Sequence, residues 1–547
     1  MPESNPDARR LQLHTGNPAG RETSFTLSEL ETPVPPEPVQ ISRTVRNVLS
    51  NWFGWLIVSV INFLLAPFVV SRLGNTGYGI WVLIGSLTGY MGLLDLGVRA
   101  TVTRYVAKFY AVADHQQLNR IVASALLVFI CSGILAIAIA IVLSWFVLDL
   151  FHIPVTHLAT ARVVLILAGC SIAASLLGGV FGGILVGLQR FDLHNLVDIL
   201  AAMLRAVAII LALRAGQGLV AMACIQFGMT ALTWVAYAWL SYRIYRPLEI
   251  RFSESDWSTV RLVFSFGIYS VILDASKYLI FSTDSVVIAS FHPVGLITFF
   301  AIASNLTAYT RSLVAGLSTT MLPTASALDA IGKKAELQEI VLRNARFATL
   351  LVFPIGWTFA LRGRSLIELW MGKEYGELAG LVLLILTLAL VFFASDQVGI
   401  STMRGIGRHQ PLVPVILGEG IANLALSILL VRPMGVIGVA WGTTIPSLAV
   451  SLLFWPWYIR RTLGISIRRY VASTWVQPAL ATIPFALATY AVERQWLAGN
   501  IAVFVVQVGI LLPVAAAGAW YVALAPTDRK QFIEKVVRPM TRILPLC

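Results

Sequence analysis

The sequence predicts an all-α polytopic membrane protein that crosses the bilayer about 14 times. Of its 547 residues, 57% are hydrophobic and only 12% are charged, and its mean hydropathy is +0.80. A soluble protein keeps roughly 25% charged residues, because its surface must face water. Apolar runs of about 20 residues, the length that spans a bilayer as a helix, recur along the chain. The chain is therefore predicted to bury its apolar surface in lipid.

Fourteen segments are long and apolar enough to be predicted as transmembrane helices. They lie near residues 45–71, 78–102, 120–148, 158–188, 194–214, 218–241, 260–290, 294–325, 341–362, 378–401, 411–431, 436–459, 471–492 and 499–525.

The distribution of the 40 lysine and arginine residues predicts the orientation. With an even number of helices both termini lie on one side, and placing that side in the cytoplasm puts 28 of these residues in inward segments. Seven fall in outward loops, Arg362 and Arg364 among them, and five lie within or at the edge of the membrane. This asymmetry follows the positive-inside rule. The net charge of +13 is therefore attributed to membrane topology, and no nucleic-acid partner is expected.

Two separate stretches match at the same shift of 218 residues, which indicates an internal repeat. "TGYGIWVLIGS" (76–86) aligns with "VGLITFFAIAS" (294–304), and "VGLQRF" (186–191) aligns with "RGIGRH" (404–409). Each repeat holds six helices, so both enter the membrane in the same sense. The two lobes are then predicted to be related by a pseudo-two-fold axis along the membrane normal, with the substrate path between them.

The repeat predicts a division of the chain into lobes, linkers and tails. The predicted parts are a disordered cytoplasmic tail (1–42), an N-terminal six-helix lobe or N-lobe (43–243), a cytoplasmic linker (244–260), a C-terminal six-helix lobe or C-lobe (261–461), two extra transmembrane helices (462–526) and a cytoplasmic tail (527–547).

Residues 178–187 carry five glycines at small-xxx-small spacings. Close helix packing is the favoured interpretation, and a moving hinge is the alternative. The sequence has no His/Cys spacing suited to a metal, and no phosphate-binding G-x-x-x-x-G-K-[ST] loop. Neither a metal nor a nucleotide cofactor is expected.

Several stretches resemble the polysaccharide (oligosaccharide) flippases of the multidrug/oligosaccharidyl-lipid/polysaccharide (MOP) superfamily. "LGNTGYGIWVLIGSLTGYMGLLDLGVRATVTRYVA" is similar to that family's first hairpin, and "ILVGLQRFDLHN" to its helix 4–5 connection. "GIGRHQPLVP" and "MGVIGVAWGTTIP" are similar to its helix 10–11 connection and its helix 12. The resemblance covers roughly residues 43–460.

The resemblance implies translocation of an undecaprenyl-diphosphate oligosaccharide across the bacterial inner membrane, by alternating access, for lipopolysaccharide or exopolysaccharide biosynthesis. The implied partners are the lipid-linked glycan, membrane lipid and polysaccharide polymerase or assembly proteins, with the flippase itself a monomer. An ion-coupled exporter of drugs or metabolites with the same fold is the alternative. A membrane-embedded glycan polymerase or ligase is disfavoured because the outward loops are short, so no enzymatic activity is expected.

Charged residues inside a membrane are expensive and mark cavities or partners. Arg205, Lys277 and Arg311 are predicted to lie nearest mid-membrane and are assigned to the anionic end of the substrate. Asn305, Asn423 and Gln226 are assigned to its sugar hydroxyls. These six residues form the predicted central-cavity site. For Lys277, neutralisation by a neighbouring aspartate is an equal alternative.

A second set of residues is predicted to serve in coupling or gating. Its members are Asp274, Asp284, Glu419, Asp95 and Arg99. The two aspartates of helix 7 could take up H⁺ or Na⁺, and for Glu419 an interhelical hydrogen bond is the alternative. The Asp95–Arg99 pair is interpreted as a fold feature near the inner gate, with substrate contact as the alternative. Asp198 and Asp396 are predicted to be solvated or capping.

Overall fold

The computed structural model describes residues 41–524, except 147, 255–274 and 319, together with residue 529. Residues 51–547 form one compact unit, to which the description below applies. Within the described ranges the regular structure is entirely helical. Its α-helices are α1 (Ile41–Met91), α2 (Val98–Ala111), α3 (His115–Phe146), α4 (Val155–Gly187), α5 (Phe191–Arg214), α6 (Leu219–Ile244), α7 (Thr283–Phe291), α8 (Leu296–Ser318), α9 (Met321–Ala330), α10 (Lys334–Trp370), α11 (Lys373–Gly405), α12 (Leu412–Ala449), α13 (Trp455–Leu463), α14 (Ile467–Val471), α15 (Gln477–Gln495) and α16 (Ile501–Gly518).

Ten stretches of the described chain are long and apolar enough to cross a membrane. Two of them, Gly54–Ala111 and Leu412–Leu463, each contain two predicted segments, because the chain kinks at Gly74 and Gly435. Both glycines have positive φ, +69° and +59°, which a residue with a Cβ adopts only at a cost. The ten stretches thus hold twelve of the predicted segments. The other two, near 260–290 and 294–325, are not among the ten, and the first lies partly outside the described residues, so the structure is compatible with fourteen spans without fixing the number.

Helix ends recur at the shift of 218 residues. Helix α4 (Val155–Gly187) and helix α11 (Lys373–Gly405) start and stop at equivalent positions. The turns that follow them are also equivalent, since Gln189 and Gly407 both have positive φ, +57° and +70°. This helix and the turn after it therefore have the same bounds and a similar backbone turn in both lobes. The exact domain boundaries given above stay predictions.

The two lobes meet at the end of the bundle that holds Gly74, called here the Gly74 end. Tyr375 and Thr298 of the C-lobe donate hydrogen bonds to the side chain and the carbonyl of Asn75, at 2.6 and 2.8 Å. The Trp370 ring stacks on Phe63 with 4.5 Å between centroids and donates to its carbonyl at 2.9 Å. These contacts join the lobes where the positive-inside rule predicts the outward face.

The predicted glycine stripe of α4 packs against α2. A Cβ at Gly179 would lie 2.7 Å from Arg99 Nε, and one at Gly187 would lie 2.9 Å from the Thr103 carbonyl oxygen. Gly183 faces Val102 in the same way, at 3.2 Å. The glycines let the two helices approach closely, as the packing interpretation predicts.

The last two long helices, α15 and α16, are fastened to α10 by a buried ion cluster. Arg362 is fully enclosed and donates to Glu493 at 2.6 Å and to Gln507 at 2.5 Å. Its guanidinium also lies 4.3 Å from the Phe504 ring centroid. The placement of Arg362 in an outward loop was therefore wrong. Helix α10 continues to Trp370, because the cluster compensates the charge of Arg362 in the protein interior. A hydropathy count, by contrast, ends the predicted segment at that charge.

Three predictions fall outside the described residues. They concern the N-terminal tail up to residue 40, most of the C-terminal tail, and Asp274.

Replacing Gly187 by alanine should lower the thermal stability of the purified protein. The added methyl group meets a backbone oxygen, and overpacking of this kind costs about 1–3 kcal/mol. Gly228→Ala is the matched control, because a Cβ there meets nothing within 4 Å. The control should gain about 0.5–1 kcal/mol from helix propensity. Thermal unfolding in detergent, followed by tryptophan fluorescence, measures both, and equal shifts would contradict the packing account.

Arg362→Ala should strongly destabilise the attachment of α15 and α16. Removing one partner of a buried ion pair leaves the other charge unpaired and costs about 3–5 kcal/mol. Arg364→Ala is the control, since Arg364 pairs with Glu368 at the surface of the same helix. The Tm should fall for the first variant and stay unchanged for the second. A wild-type Tm for Arg362→Ala would show that the cluster does not hold these helices.

Candidate functional site: polar clusters in the two lobes

A cavity of 520 Å³ opens inside the N-lobe, lined by residues of α1, α4, α5 and α6. Arg205 and Gln226, both predicted as substrate-binding residues, lie in it together, and Arg205 Nη1 donates to Gln226 Oε1 at 3.0 Å. The backbone carbonyl of Gln226 accepts a hydrogen bond from Thr230 Oγ1 at 2.8 Å. The other polar residues of the lining are Ser175, Asn195, Asp198 and Thr233. We call this the N-lobe cavity.

Asp198 is held on the wall of the N-lobe cavity by two aromatic side chains. Tyr237 donates its hydroxyl hydrogen to Asp198 Oδ1 at 2.6 Å, and His194 Nδ1 lies 3.3 Å from Oδ2. The His194 and Tyr237 rings stack with 4.9 Å between centroids. Asp198 is half-exposed, which agrees with its predicted solvation, but it faces a cavity that the sequence did not reveal. The spacing of Asp198 and Arg205 at i, i+7 on one helix face was the available signal.

Arg311 lies in the C-lobe, on helix α8. Its Nη1 donates to Thr307 at 3.1 Å, and its guanidinium carbon lies 4.3 Å from the Phe281 ring centroid. Asp284 interacts with it electrostatically and accepts from Thr443 at 3.0 Å. The structure therefore places a predicted substrate residue and a predicted coupling residue in one cluster.

The other predicted cavity residues have different surroundings. Asn305 is half-buried and donates to the Tyr78 hydroxyl across the lobe boundary at 3.3 Å. Asn423 is fully buried, where it donates to the Ile280 carbonyl at 3.1 Å and accepts from Ser427 at 3.4 Å. Lys277 is exposed, four residues before Phe281. The fully buried amide is thus bonded within the protein, whereas the lysine is accessible.

A second acidic cluster is buried in the C-lobe. Asp396 is only 7% exposed and accepts from Ser451, and Glu419 accepts from Ser447 at 2.6 Å. The two carboxyl groups are close enough to interact electrostatically. Asp396 was predicted to be solvated or capping, and this was wrong. It lies inside α11, where serine hydroxyls of the neighbouring helix region take the place of water.

The Asp95–Arg99 pair lies beside the glycine stripe. Asp95 Oδ2 and Arg99 Nε are 3.1 Å apart, and Arg99 Nη2 donates to the Ser175 carbonyl at 3.4 Å. The predicted continuous helix over 78–102 is interrupted here. A 3₁₀ turn ends at Asp95, and Leu96 and Gly97 adopt left-handed backbone conformations before α2 begins. The pair thus ties this break to α4, near the N-lobe cavity.

No group of three or more His, Cys, Asp or Glu side chains suited to a metal occurs among the residues the structure describes.

Residues 44–329, a little over half of the chain, match the family described as "Polysaccharide biosynthesis protein". The "Putative O-antigen transporter" of Shigella flexneri is 19% identical over 420 residues, which covers 76% of this chain and 98% of that protein. The membrane protein EpsK of Bacillus subtilis, described as uncharacterized, is 19% identical over 438 residues, covering 76% and 83%.

Two solved structures share the fold. The inward closed conformation of the lipid II flippase MurJ superposes with a TM-score of 0.66 at 14% identity, covering 90% of this chain and all of that one. An inward-facing multidrug resistance MATE family transporter of the MOP superfamily also gives 0.66, at 15% identity over 74% of this chain and 94% of its own. The fold prediction is thereby confirmed. The chain belongs to the polysaccharide biosynthesis protein family.

Proposed function

We propose that this protein is a flippase that moves a lipid-linked diphosphate oligosaccharide from the cytoplasmic to the outer leaflet of the bacterial inner membrane. The observation that carries the proposal is the N-lobe cavity, in which a guanidinium group is exposed to a space lined by amides and hydroxyls. Membership of a polysaccharide biosynthesis family supports a glycan as the cargo.

The N-lobe cavity suits the chemistry of a diphosphate sugar. A guanidinium has five N–H donors in a planar fork that matches phosphate oxygens, and the bond to Gln226 uses only one of them. Neutral side chains such as Asn195 and Thr233 can exchange hydrogen bonds with sugar hydroxyls. The polyprenyl tail stays in the bilayer while the polar head group crosses. Arg311 supplies positive charge from the C-lobe, and Lys277 is four residues before Phe281, the ring that the Arg311 guanidinium contacts.

The contacts at the Gly74 end support alternating access. With both termini in the cytoplasm, that end faces outward, and the conformation described is closed to the outside. Release of the head group then requires separation of Asn75 from its two C-lobe donors and of Phe63 from Trp370. Two lobes of equivalent backbone can rock about the cavity between these states.

The energy for the cycle is proposed to come from H⁺ or Na⁺ bound by the Asp396–Glu419 cluster. Two interacting carboxyl groups in a low-dielectric interior do not both stay ionised without a cation. The cluster is therefore suited to bind one cation in one lobe conformation and release it in the other. Polysaccharide polymerase and assembly proteins are the proposed partners, and a monomer is the proposed working unit.

Arg205→Ala and Arg311→Ala should each abolish surface polysaccharide when expressed in a strain that lacks the wild-type gene. The reason is that a neutral side chain at either position does not balance the diphosphate charge within the membrane. Arg214→Ala is the control, because Arg214 ends the same helix as Arg205 and is exposed. The measurement combines surface polymer, lipid-linked repeat units retained in the membrane, and protein abundance. Wild-type polymer in both variants would remove the site assignment, and normal glycans with raised drug sensitivity in the null strain would favour the exporter.

Glu419→Gln should uncouple transport from the ion gradient. The amide keeps the size of the side chain and its acceptor for Ser447 but cannot take up a cation by charge neutralisation. In proteoliposomes, the wild type should flip faster under an imposed pH or Na⁺ gradient, and the variant should flip at one rate with or without it. Glu339→Gln, which changes a surface pair with Arg469, is the control and should respond like the wild type. A gradient response in Glu419→Gln would place coupling elsewhere.

A further inference from the structure

Asp198 is the carboxylate among the residues lining the N-lobe cavity, and Arg205 is the cation of the same lining. They stand two turns apart on one face of α5 and interact electrostatically. A carboxylate on the wall of an anion site repels the incoming anion, so its presence needs a reason.

Asp198 and Arg205 are bonded to different partners. One carboxylate oxygen accepts from Tyr237 and the other faces His194, whereas Arg205 is bonded to Gln226. In this conformation Asp198 is bonded to Tyr237 and His194, and the guanidinium keeps its remaining donors for a ligand. Loss of the Tyr237 bond would free one oxygen to turn toward the arginine.

We propose that Asp198 is an internal counter-ion that competes with the anionic head group for Arg205, and that Tyr237 and His194 set the strength of this competition. The inference rests on the proposed function and assigns to Asp198 and Tyr237 roles as positioning residues. It concerns a diphosphate or other oxyanion as the competing ligand.

An internal counter-ion solves a problem that every carrier of an anion has. A lone guanidinium in a cavity of low dielectric would hold its ligand too tightly to release it, and would be costly to keep when the cavity is empty. A carboxylate within reach lowers the affinity for the anion and balances the empty site. It therefore favours turnover at the expense of binding.

The proposal predicts opposite effects for two substitutions at one contact. Asp198→Asn removes the competing charge, so the protein should bind undecaprenyl diphosphate about tenfold more tightly, while flipping it more slowly. Tyr237→Phe frees the carboxylate to approach Arg205, so binding should weaken by about threefold. A merely structural role for the contact would weaken binding in both variants.

The measurement is a titration of the purified full-length protein in detergent with undecaprenyl diphosphate, followed by tryptophan fluorescence, to which Trp55 on the cavity wall contributes. Flipping rates in proteoliposomes and Tm accompany it. Asp192→Asn is the matched control, because Asp192 lies on the same helix but pairs with Arg190 at the surface. The control should keep the wild-type dissociation constant.

Unchanged or weaker binding by Asp198→Asn would overturn the counter-ion proposal. Arg205→Ala separates this failure from that of the proposed function. If Arg205→Ala loses affinity and Asp198→Asn does not gain it, only the counter-ion role falls. If Arg205→Ala binds like the wild type, the N-lobe cavity is not the diphosphate site and both proposals fall. Should Asp198→Asn not fold, Tyr237→Phe is read together with its Tm. Weaker binding at an unchanged Tm supports the proposal, weaker binding with a lowered Tm indicates a merely structural role, and tighter or unchanged binding contradicts the proposal.

Discussion

The cost of placing charge in a low-dielectric interior governs the polar architecture of this protein. Each charged side chain within the helices has to be solvated by protein groups or by water in a cavity. Arg362 meets the first condition, since a carboxylate, an amide and an aromatic ring enclose it. Arg205 meets the second, since one amide bonds it and the rest of its surroundings is a cavity. Enclosure by protein groups, as opposed to an opening onto a cavity, thus separates a residue that holds helices together from one available to a ligand.

The internal repeat shows the same contrast at equivalent positions. Arg205 of the N-lobe corresponds, at the shift of 218, to Asn423 of the C-lobe. Asn423 is fully buried and donates to the backbone carbonyl of Ile280 in a neighbouring helical segment. At this position of the repeat, the N-lobe therefore has a cation in an open cavity, and the C-lobe has a buried, hydrogen-bonded amide. The anionic substrate proposed here would meet two unlike walls.

Much of the fold could be predicted because lipid imposes it. Helix length, apolar content and the side of the basic residues are local properties, and the repeat was visible as two matches at one shift. The interruption at Asp95–Gly97 was missed because it sits within an apolar stretch, where hydropathy does not register a 3₁₀ turn. Arg362 and Asp396 were misplaced for a related reason. Their solvating partners come from helices distant in sequence, and a single segment does not show them.

The sequence predicted several residues of the candidate site, but it did not predict which of them lie next to each other. Membrane depth singled out Arg205 and Arg311, but only the packed helices show that Gln226 joins the first and Asp284 is near the second.

The Arg362 cluster has a consequence for movement. It binds two further spans to the C-lobe, so in the alternating-access cycle proposed above these helices would travel with that half. The C-lobe would then present the broader footprint to the lipid.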